Sequence, residues 1–180
     1  MAHQYSTTYA HPPLGALTIR LSAETDLPMM QAIFAEAKAK MRKAGNLTQW
    51  TGGYPSDDIL LQDMRRGFSY IVERDGVPVA TFVLAECEDP TYRVIYDGAW
   101  LDDILPYGTI HRIASIEGVH GIVDAVIAWS LKRVRSLRVD THRDNLPMQH
   151  ILAKNGFSYC GIIYLLDGSP RLAYQKLACL

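Results

Sequence analysis

The apolar and polar positions of the chain alternate in short segments of two kinds. Leu17-Thr18-Ile19-Arg20-Leu21 alternates residue by residue, the period of a half-buried strand. Met30, Ile33, Phe34, Ala37 and Met41 then recur at steps of three and four. That spacing predicts a helix that opens near Thr25 and Asp26, carries Pro28 in its first turn and stops at Gly45-Asn46. Lys38, Lys40, Arg42 and Lys43 crowd its end, where cations meet the negative pole of the helix dipole. Ser56-Asp57-Asp58 caps a second, short helix that runs to Arg66. Residues 70–73 and 78–84 predict two strands, and Asp75-Gly76 between them predicts a hairpin. Thr109 to Ser115 reads as the next strand. After the turn Glu117-Gly118-Val119-His120-Gly121, a helix places Val123, Ile127, Ser130 and Val134 on one face. Leu137 to Asp140 predicts a strand. Asn145 to Asn155 predicts a helix, with Pro147 near its start and Gly156 just past its end. Residues 159–166 and 171–177 close the chain as two strands joined by Asp167-Gly168-Ser169-Pro170.

Two internal stretches follow neither period. Residues 46–55 hold two aromatics and two glycines, and residues 85–108 hold Tyr92, Tyr96, Trp100 and several turn formers. A loop as long as the second is usually functional in a compact domain. Residues 1–16 are aperiodic and predict a tail or arm, which leaves 17–180 as a single domain. The resulting order is β-α-α-β-β-loop-β-α-β-α-β-β. It predicts an α/β fold: a mixed sheet of about seven strands, with helices on both faces in three layers. The two hairpins require antiparallel neighbours within it.

Composition narrows the class. At 180 residues and 48% hydrophobic content, the chain can bury a core that needs no metal or disulfide staple. Eighteen Lys and Arg against nineteen Asp and Glu leave a formal charge of −1, which argues against a dedicated nucleic-acid binder. No apolar run is long enough to span a membrane, and the polar start does not read as a signal peptide. The three cysteines form no C-x-x-C pair, and an odd, sparse count suits a reducing compartment. A cytoplasmic location is the expectation. His111, His120, His142 and His150 offer no ligand pair at i, i+4, so no metal site is expected.

The strongest local chemistry is the strand 109–115, the glycine-bearing turn and the helix behind it. Such a turn aims backbone N–H groups at one point, where the helix dipole adds about half a positive charge and a phosphate is the natural guest. The same turn also occurs as a plain connection, and neither G-x-G-x-x-G nor a P-loop pattern is present.

At these residues the chain resembles the GNAT superfamily of N-acetyltransferases, over about residues 17–177. Gly118-Val119-His120-Gly121-Ile122-Val123 stands where that family carries [RQ]-x-x-G-x-[GA]. Gly121 matches, Gly118 replaces the Arg or Gln, and Val123 replaces the small residue. Arg138 to Asn145, Met148-Gln149-His150 and Lys154-Asn155-Gly156-Phe157 resemble the family's strand–Asn–helix–K-x-G-F block. Tyr107 to Ala114 and Gly161-Ile162-Ile163-Tyr164 are similar to a bacterial subgroup.

The resemblance implies a V-shaped split between two central parallel strands that admits acetyl-coenzyme A. Ile113, Ala114 and Ser115 would pair with the pantetheine amides. Gly118, Val119, His120, Gly121, Ile122 and Val123 would receive the pyrophosphate, and Asn145 would reach the pantetheine arm, a role compatible with a plain helix N-cap. The family's frequent general acid, a Tyr before K-x-G-F, is replaced by Leu152. His111 is then the candidate base, with Glu86 as the second candidate; a core histidine and a solvated strand end are the plain alternatives. Trp50, Tyr92, Tyr96 and Trp100 would line an acceptor pocket, or else pack as a satellite core. The expected activity is acetyl transfer to an amine of a small molecule or peptide. The alternatives are a non-catalytic CoA-binding protein, and a hydrolase using Cys87 or Ser115 with His111. Strand 171–177 could serve a homodimer.

Overall fold

The computed structural model describes residues 17–178. The expected arm over residues 1–16 and Cys179 lie outside that span. Seven strands form one sheet: β1 (Leu17–Leu21), β2 (Ser69–Arg74), β3 (Val77–Ala85), β4 (Tyr107–Ser115), β5 (Ser136–Thr141), β6 (Ser158–Tyr164) and β7 (Pro170–Leu177). Their spatial order is β1-β2-β3-β4-β5-β7-β6. Only β4 and β5 run parallel; every other neighbouring pair is antiparallel. The four helices are α1 (Leu27–Lys43), α2 (Asp57–Arg65), α3 (Ile122–Ser130) and α4 (Leu146–Lys154).

The caps fall where the side chains can make them. Ser56 Oγ accepts from the Ile59 N–H to open α2, and Asn145 Oδ1 accepts from the Met148 N–H to open α4. Helix α3 is shorter than its periodicity predicts. Lys132 and Arg133 donate to carbonyls three residues back, at Trp129 and Ser130, which tightens the last turn and ends the helix before Val134. Val134 still packs on the core.

The period of two sorts the strands onto two faces. Phe82, Leu84, Ile110, Leu137 and Val139 meet Ile122, Val126 and Ile127 of α3 and Leu152 of α4. Ala114 faces the other way, under Met30, Ile33 and Phe34 of α1 and Leu60 and Met64 of α2. Beyond those helices, residues 86–106 cover the same face as a third layer, with Tyr92 and Trp100 packed on Cys160, Ile163 and Ala173. Arg138 anchors this cover. Its guanidinium lies 4.0 Å from the Trp100 ring centroid and 3.9 Å from that of Tyr107, and it donates to Asp102 O and Asp103 Oδ1.

β7 lies between β5 and β6 and is hydrogen-bonded on both sides, so strand 171–177 has no free backbone edge. The edges belong to β1 and β6.

One irregularity positions the site. β4 and β5 keep register only from Tyr107↔Ser136 to Ile110↔Val139. Past that point β4 bulges, because Val83↔His111 and Thr81↔Ala114 set fewer residues of β3 against more of β4. Arg112, inside the bulge, has φ of 50°. That left-handed conformation costs a non-glycine residue about 1–2 kcal/mol. Arg112 is held there by hydrogen bonds to Asp63 Oδ1 at 2.8 Å and Tyr54 OH at 2.9 Å. The added twist of a bulge turns the end of β4 away from β5.

Candidate functional site

A cleft of about 870 Å³ opens where β4 and β5 part. One wall is β4 from Ile110 to Ser115, and the other is Val139 to His142 at the end of β5. On the β5 side, residues His111 to Ser115 have no strand partner, so that edge faces the cleft. Ile122 and Val123 of α3 and Met148 and Ile151 of α4 add apolar lining.

The cleft runs into a smaller pocket of about 150 Å³ at the start of α3, lined by Lys40, Ser115, Val119, His120, Gly121, Ile122, Val123, Ile151 and Asp124, the last of these paired with Lys154 and Asn155. Gly121 is the N-cap with φ of 78°, and Gly118 earlier in the turn has φ of 77°. An added Cβ would meet nothing within 4 Å at either, so the backbone conformation is what calls for glycine. Among the described residues, the N–H groups of Val119 to Asp124 have no protein acceptor. Arg74 ties the turn to β2 by donating to His120 O at 3.1 Å. Free amides, the helix dipole and the Lys40 ammonium fit an anionic group here, and the apolar split beside it fits a long, uncharged arm. Lys40 is a functional candidate the sequence reading missed. Its α1 position looks like an ordinary cationic last turn, and only the packing brings it beside the α3 turn.

The opposite end of the cleft is polar. His111 Nε2 lies 3.1 Å from Asp89 Oδ2, and His111 Nδ1 lies 3.9 Å from Asp140 Oδ1. The Tyr92 hydroxyl donates to Asp140 Oδ1 at 2.6 Å, and Arg171 Nε stands 3.7 Å from Asp140 Oδ2. Burial pushes the Asp89 carboxyl up, but hydrogen bonds from His111 and from the Thr91 hydroxyl and N–H outweigh it and hold the group at about 2. Burial, and then the Asp140 charge, push the Tyr92 hydroxyl well above its ordinary value, so it stays a donor. Asp63 is moved up by burial against the pull of Arg112. His142 is moved down by burial and then by Arg171; its Nε2 lies 3.3 Å from Thr48 Oγ1. The hairpin tip between β6 and β7 hangs over this end, with Leu165, Leu166, Asp167 and Ser169 along the cleft.

His111, Ile113, Ala114, Ser115, Ile122, Val123, Asn145 and Trp50 are thus gathered around one cleft. Val119, His120 and Gly121 surround its extension, and Gly118 shapes the turn without lining it. Asn145 caps α4 and also donates to Gln49 Oε1 at 3.1 Å, which ties loop 46–55 to the cleft wall. Trp50 packs edge-on against Phe34 at 5.5 Å.

Four expected residues lie elsewhere. Glu86 continues the face of Phe82 and Leu84, and its charge acts on Tyr70 there, because the strand period turns it away from Val83, Ala85 and Cys87 on the cleft side. Tyr92 and Trp100 are core residues, stacked at 5.7 Å, and Trp100 Nε1 donates to Tyr92 O. Tyr96 sits on the outer surface edge-on to Tyr164, where its backbone pairs with Ile162. The long loop is therefore the satellite core of the sequence's other reading. Its start, Cys87 to Thr91, lines the cleft and brings to His111 the carboxylate of Asp89, a residue that composition alone does not set apart. Among the described residues, no group of three or more His, Cys, Asp or Glu could hold a metal ion, and no helix is long and apolar enough to cross a membrane.

No family model matches the sequence, and no curated protein matches it. Solved structures do. A GNAT-family acetyltransferase of Streptococcus agalactiae is similar at 32% identity and a TM-score of 0.83, covering 91% of this chain and 96% of that one. A GNAT-family acetyltransferase of Listeria monocytogenes is similar at 18% identity and a TM-score of 0.66, over 89% and 94% of the two chains. A Salmonella typhimurium protein solved with its cofactor acetyl-CoA is similar at 11% identity and a TM-score of 0.59, over 92% and 95%. The last two carry a likeness of fold.

Proposed function

Because the chain belongs to the GNAT family of acetyltransferases, we propose that it transfers the acetyl group of acetyl-CoA to an amine of a small molecule or peptide. The observation that carries this reading is the parting of β4 from β5 beyond Ile110, with an unpaired β4 edge leading to the free amides of the α3 turn.

Acetyl-CoA supplies a thioester, an activated acyl group with a thiol as leaving group. The chain's residues bind and orient it. The backbone of Ile113, Ala114 and Ser115 offers strand-like hydrogen bonds to the amides of the pantetheine arm. The amides from Val119 to Val123 take the pyrophosphate, with Lys40 as a nearby cation and Gly118 and Gly121 shaping the turn. Asn145 serves as the α4 cap and faces the arm. A backbone amide near Ala114 polarises the thioester carbonyl where negative charge develops. His111 takes the proton of the attacking amine, as the imidazole that lines the cleft beside Asp89. Trp50 and Tyr54 bound the acceptor end.

Leu152 is fully buried in the core, so α4 presents no acid at the position where the family carries Tyr. A free thiol has a pKa of about 8.5, so its thiolate leaves without such help. No protein nucleophile is needed. Cys87 receives a hydrogen bond from Arg66 Nη2 at 3.4 Å, and among the described residues neither Cys87 nor Ser115 is hydrogen-bonded to His111, which disfavours the hydrolase reading.

The test has two parts. Acetyl-CoA at about 100 times its Kd stabilises a binding protein by about 2.7 kcal/mol. In a chain of this length that raises Tm by about 5–10 °C. Gly121→Glu puts a bulky anion in the turn and removes the shift. Thiol release with a panel of amines then separates an enzyme from a non-catalytic binder. An unchanged Tm of the parent in millimolar acetyl-CoA refutes the reading.

A further inference from the structure

The cleft extends past the strand split to the end of α2, where Arg66 lines it together with Phe68, Val83, Ala85 and Cys87. Local sequence fixes the place of this cation. Gly67, with φ of 71°, takes the left-handed conformation just past the helix, and the N–H groups of Gly67 and Phe68 donate back to Met64 O and Asp63 O. That closing motif sets Asp63, Arg66 and Phe68 in one turn. Leu84 N donates to Phe68 O and ties the turn to β3. The Arg66 guanidinium lies 4.8 Å from the Phe68 ring centroid, and its Nη2 donates to Cys87 Sγ at 3.4 Å. These contacts hold the guanidinium in place yet occupy only one of its five N–H donors. Among the described residues, no carboxylate or carbonyl oxygen accepts from it.

The charges around Arg66 leave it in surplus. Asp63 is buried and pairs with Arg112 at 2.7 Å, and the charge of Arg66 acts on that same carboxylate. Two guanidiniums thus face one carboxylate. Glu88, also on the cleft, pairs with Arg93 at 3.5 Å, and Asp89 is taken up by His111 and Thr91. One positive charge is left over, on a planar fork of donors that matches a carboxylate bidentately. A doubly charged anion fits less well, because Glu88 and Asp89 repel its second charge.

We propose that Arg66 determines acceptor specificity by binding a carboxylate on the acceptor, and that the substrate class is an amino carboxylic acid of amino-acid or dipeptide size. This rests on the acetyltransferase reading and names the substrate class for the same site. The size follows from the chain that joins the two contacts. Arg66 touches Cys87 and His111 touches Asp89, and Cα atoms two residues apart are separated by at most about 7 Å. Guanidinium and imidazole therefore stand over neighbouring parts of one wall. Val83 is registered with His111, and Ala85 and Cys87 continue the cleft side of the strand toward Arg66. A compact molecule with an amine at one end and a carboxylate at the other spans this floor, with its carbon atoms against Val83 and Ala85.

The test sets a panel of L-amino acids against their carboxamides, which keep the amine and lose the negative charge. Thiol release from acetyl-CoA is the readout. The parent is expected to use the acids at least about fivefold better in kcat/KM, the worth of one partly exposed ion pair. Arg66→Gln raises KM for the acids by about that factor and leaves kcat, and KM for the amides, near the parent's values. Arg66→Lys keeps the charge without the fork and recovers part of the loss. Rising salt narrows the gap between acid and amide in the parent and not in Arg66→Gln. An equal Tm rise with acetyl-CoA in all three proteins shows that the variants fold and that the cofactor end is intact. The proposal is overturned if the parent uses acids and amides equally, or if Arg66→Gln raises KM for both alike. Either result leaves acetyl transfer standing, since thiol is still released. Thiol release with none of the amines, in protein whose Tm rises with acetyl-CoA, overturns acetyl transfer and this proposal with it, so the two failures are distinct.

Discussion

Asp89→Asn has a consequence for stability that can be worked from the structure. Three hydrogen bonds hold the Asp89 carboxylate: from the Thr91 N–H at 2.9 Å, the Thr91 hydroxyl at 2.7 Å and His111 Nε2 at 3.1 Å. Together they overcome burial and set the group at about 2, below its ordinary 3.8. At about 1.36 kcal/mol per pKa unit, that difference corresponds to about 2 kcal/mol of folding stability. The folded value is the depressed one, so the contribution is fully present above pH 3.8 and is lost as pH falls through about 2. Roughly half of it is gone by pH 3. Asn cannot ionise and holds none of it. The variant is therefore expected to unfold about 2 kcal/mol more easily than the parent at neutral pH, or about 4–8 °C lower in Tm. That gap narrows as the medium is acidified from pH 5 to pH 3. Urea unfolding of both proteins across this range measures it, and the comparison cancels the carboxylates they share. A gap that stays constant down to pH 3, or none at neutral pH, refutes the assignment of Asp89 as an ionised partner of His111.

Two further outcomes test the separation of core from cleft. Trp100→Ala removes a ring stacked on Tyr92 and facing Arg138, and is expected to cost about 3–5 kcal/mol in urea unfolding with no change in acceptor preference. Trp50→Ala, at the cleft, should instead change acceptor use with cofactor affinity near the parent's; the reverse pattern would put the acceptor pocket under the long loop. Lys40→Ala is expected to weaken acetyl-CoA binding about fivefold, as one exposed charge contact worth about 1 kcal/mol. Titrations at rising salt should close that difference, and one that is insensitive to salt would mean Lys40 does not meet an anion.

The strand and helix periods, the caps at Ser56 and Asn145 and the glycine turn at Gly118 to Gly121 act over a few residues, so the sequence by itself determined the elements and their order. It also determined the glycine turn with its free amides, because dipole and amides belong to the helix that carries them. Parity along a strand is equally local, yet which face becomes a cleft is not. Glu86 and Cys87 are adjacent and fall on opposite faces, and only the packing of α3, α4 and the cover loop decides which of them meets a ligand. The aromatics of residues 85–108 look alike in sequence. Tertiary structure buries Tyr92 and Trp100 around Arg138 and leaves Tyr96 outside. The same burial carries Asp89 to His111 across 22 residues, and Asp140 arrives from the neighbouring parallel strand. Contacts between residues so far apart in sequence depend on the register of β4 with β5 and on the bulge at Arg112. No local pattern encodes either, because both are set by competition among whole strands and by a buried ion pair with α2.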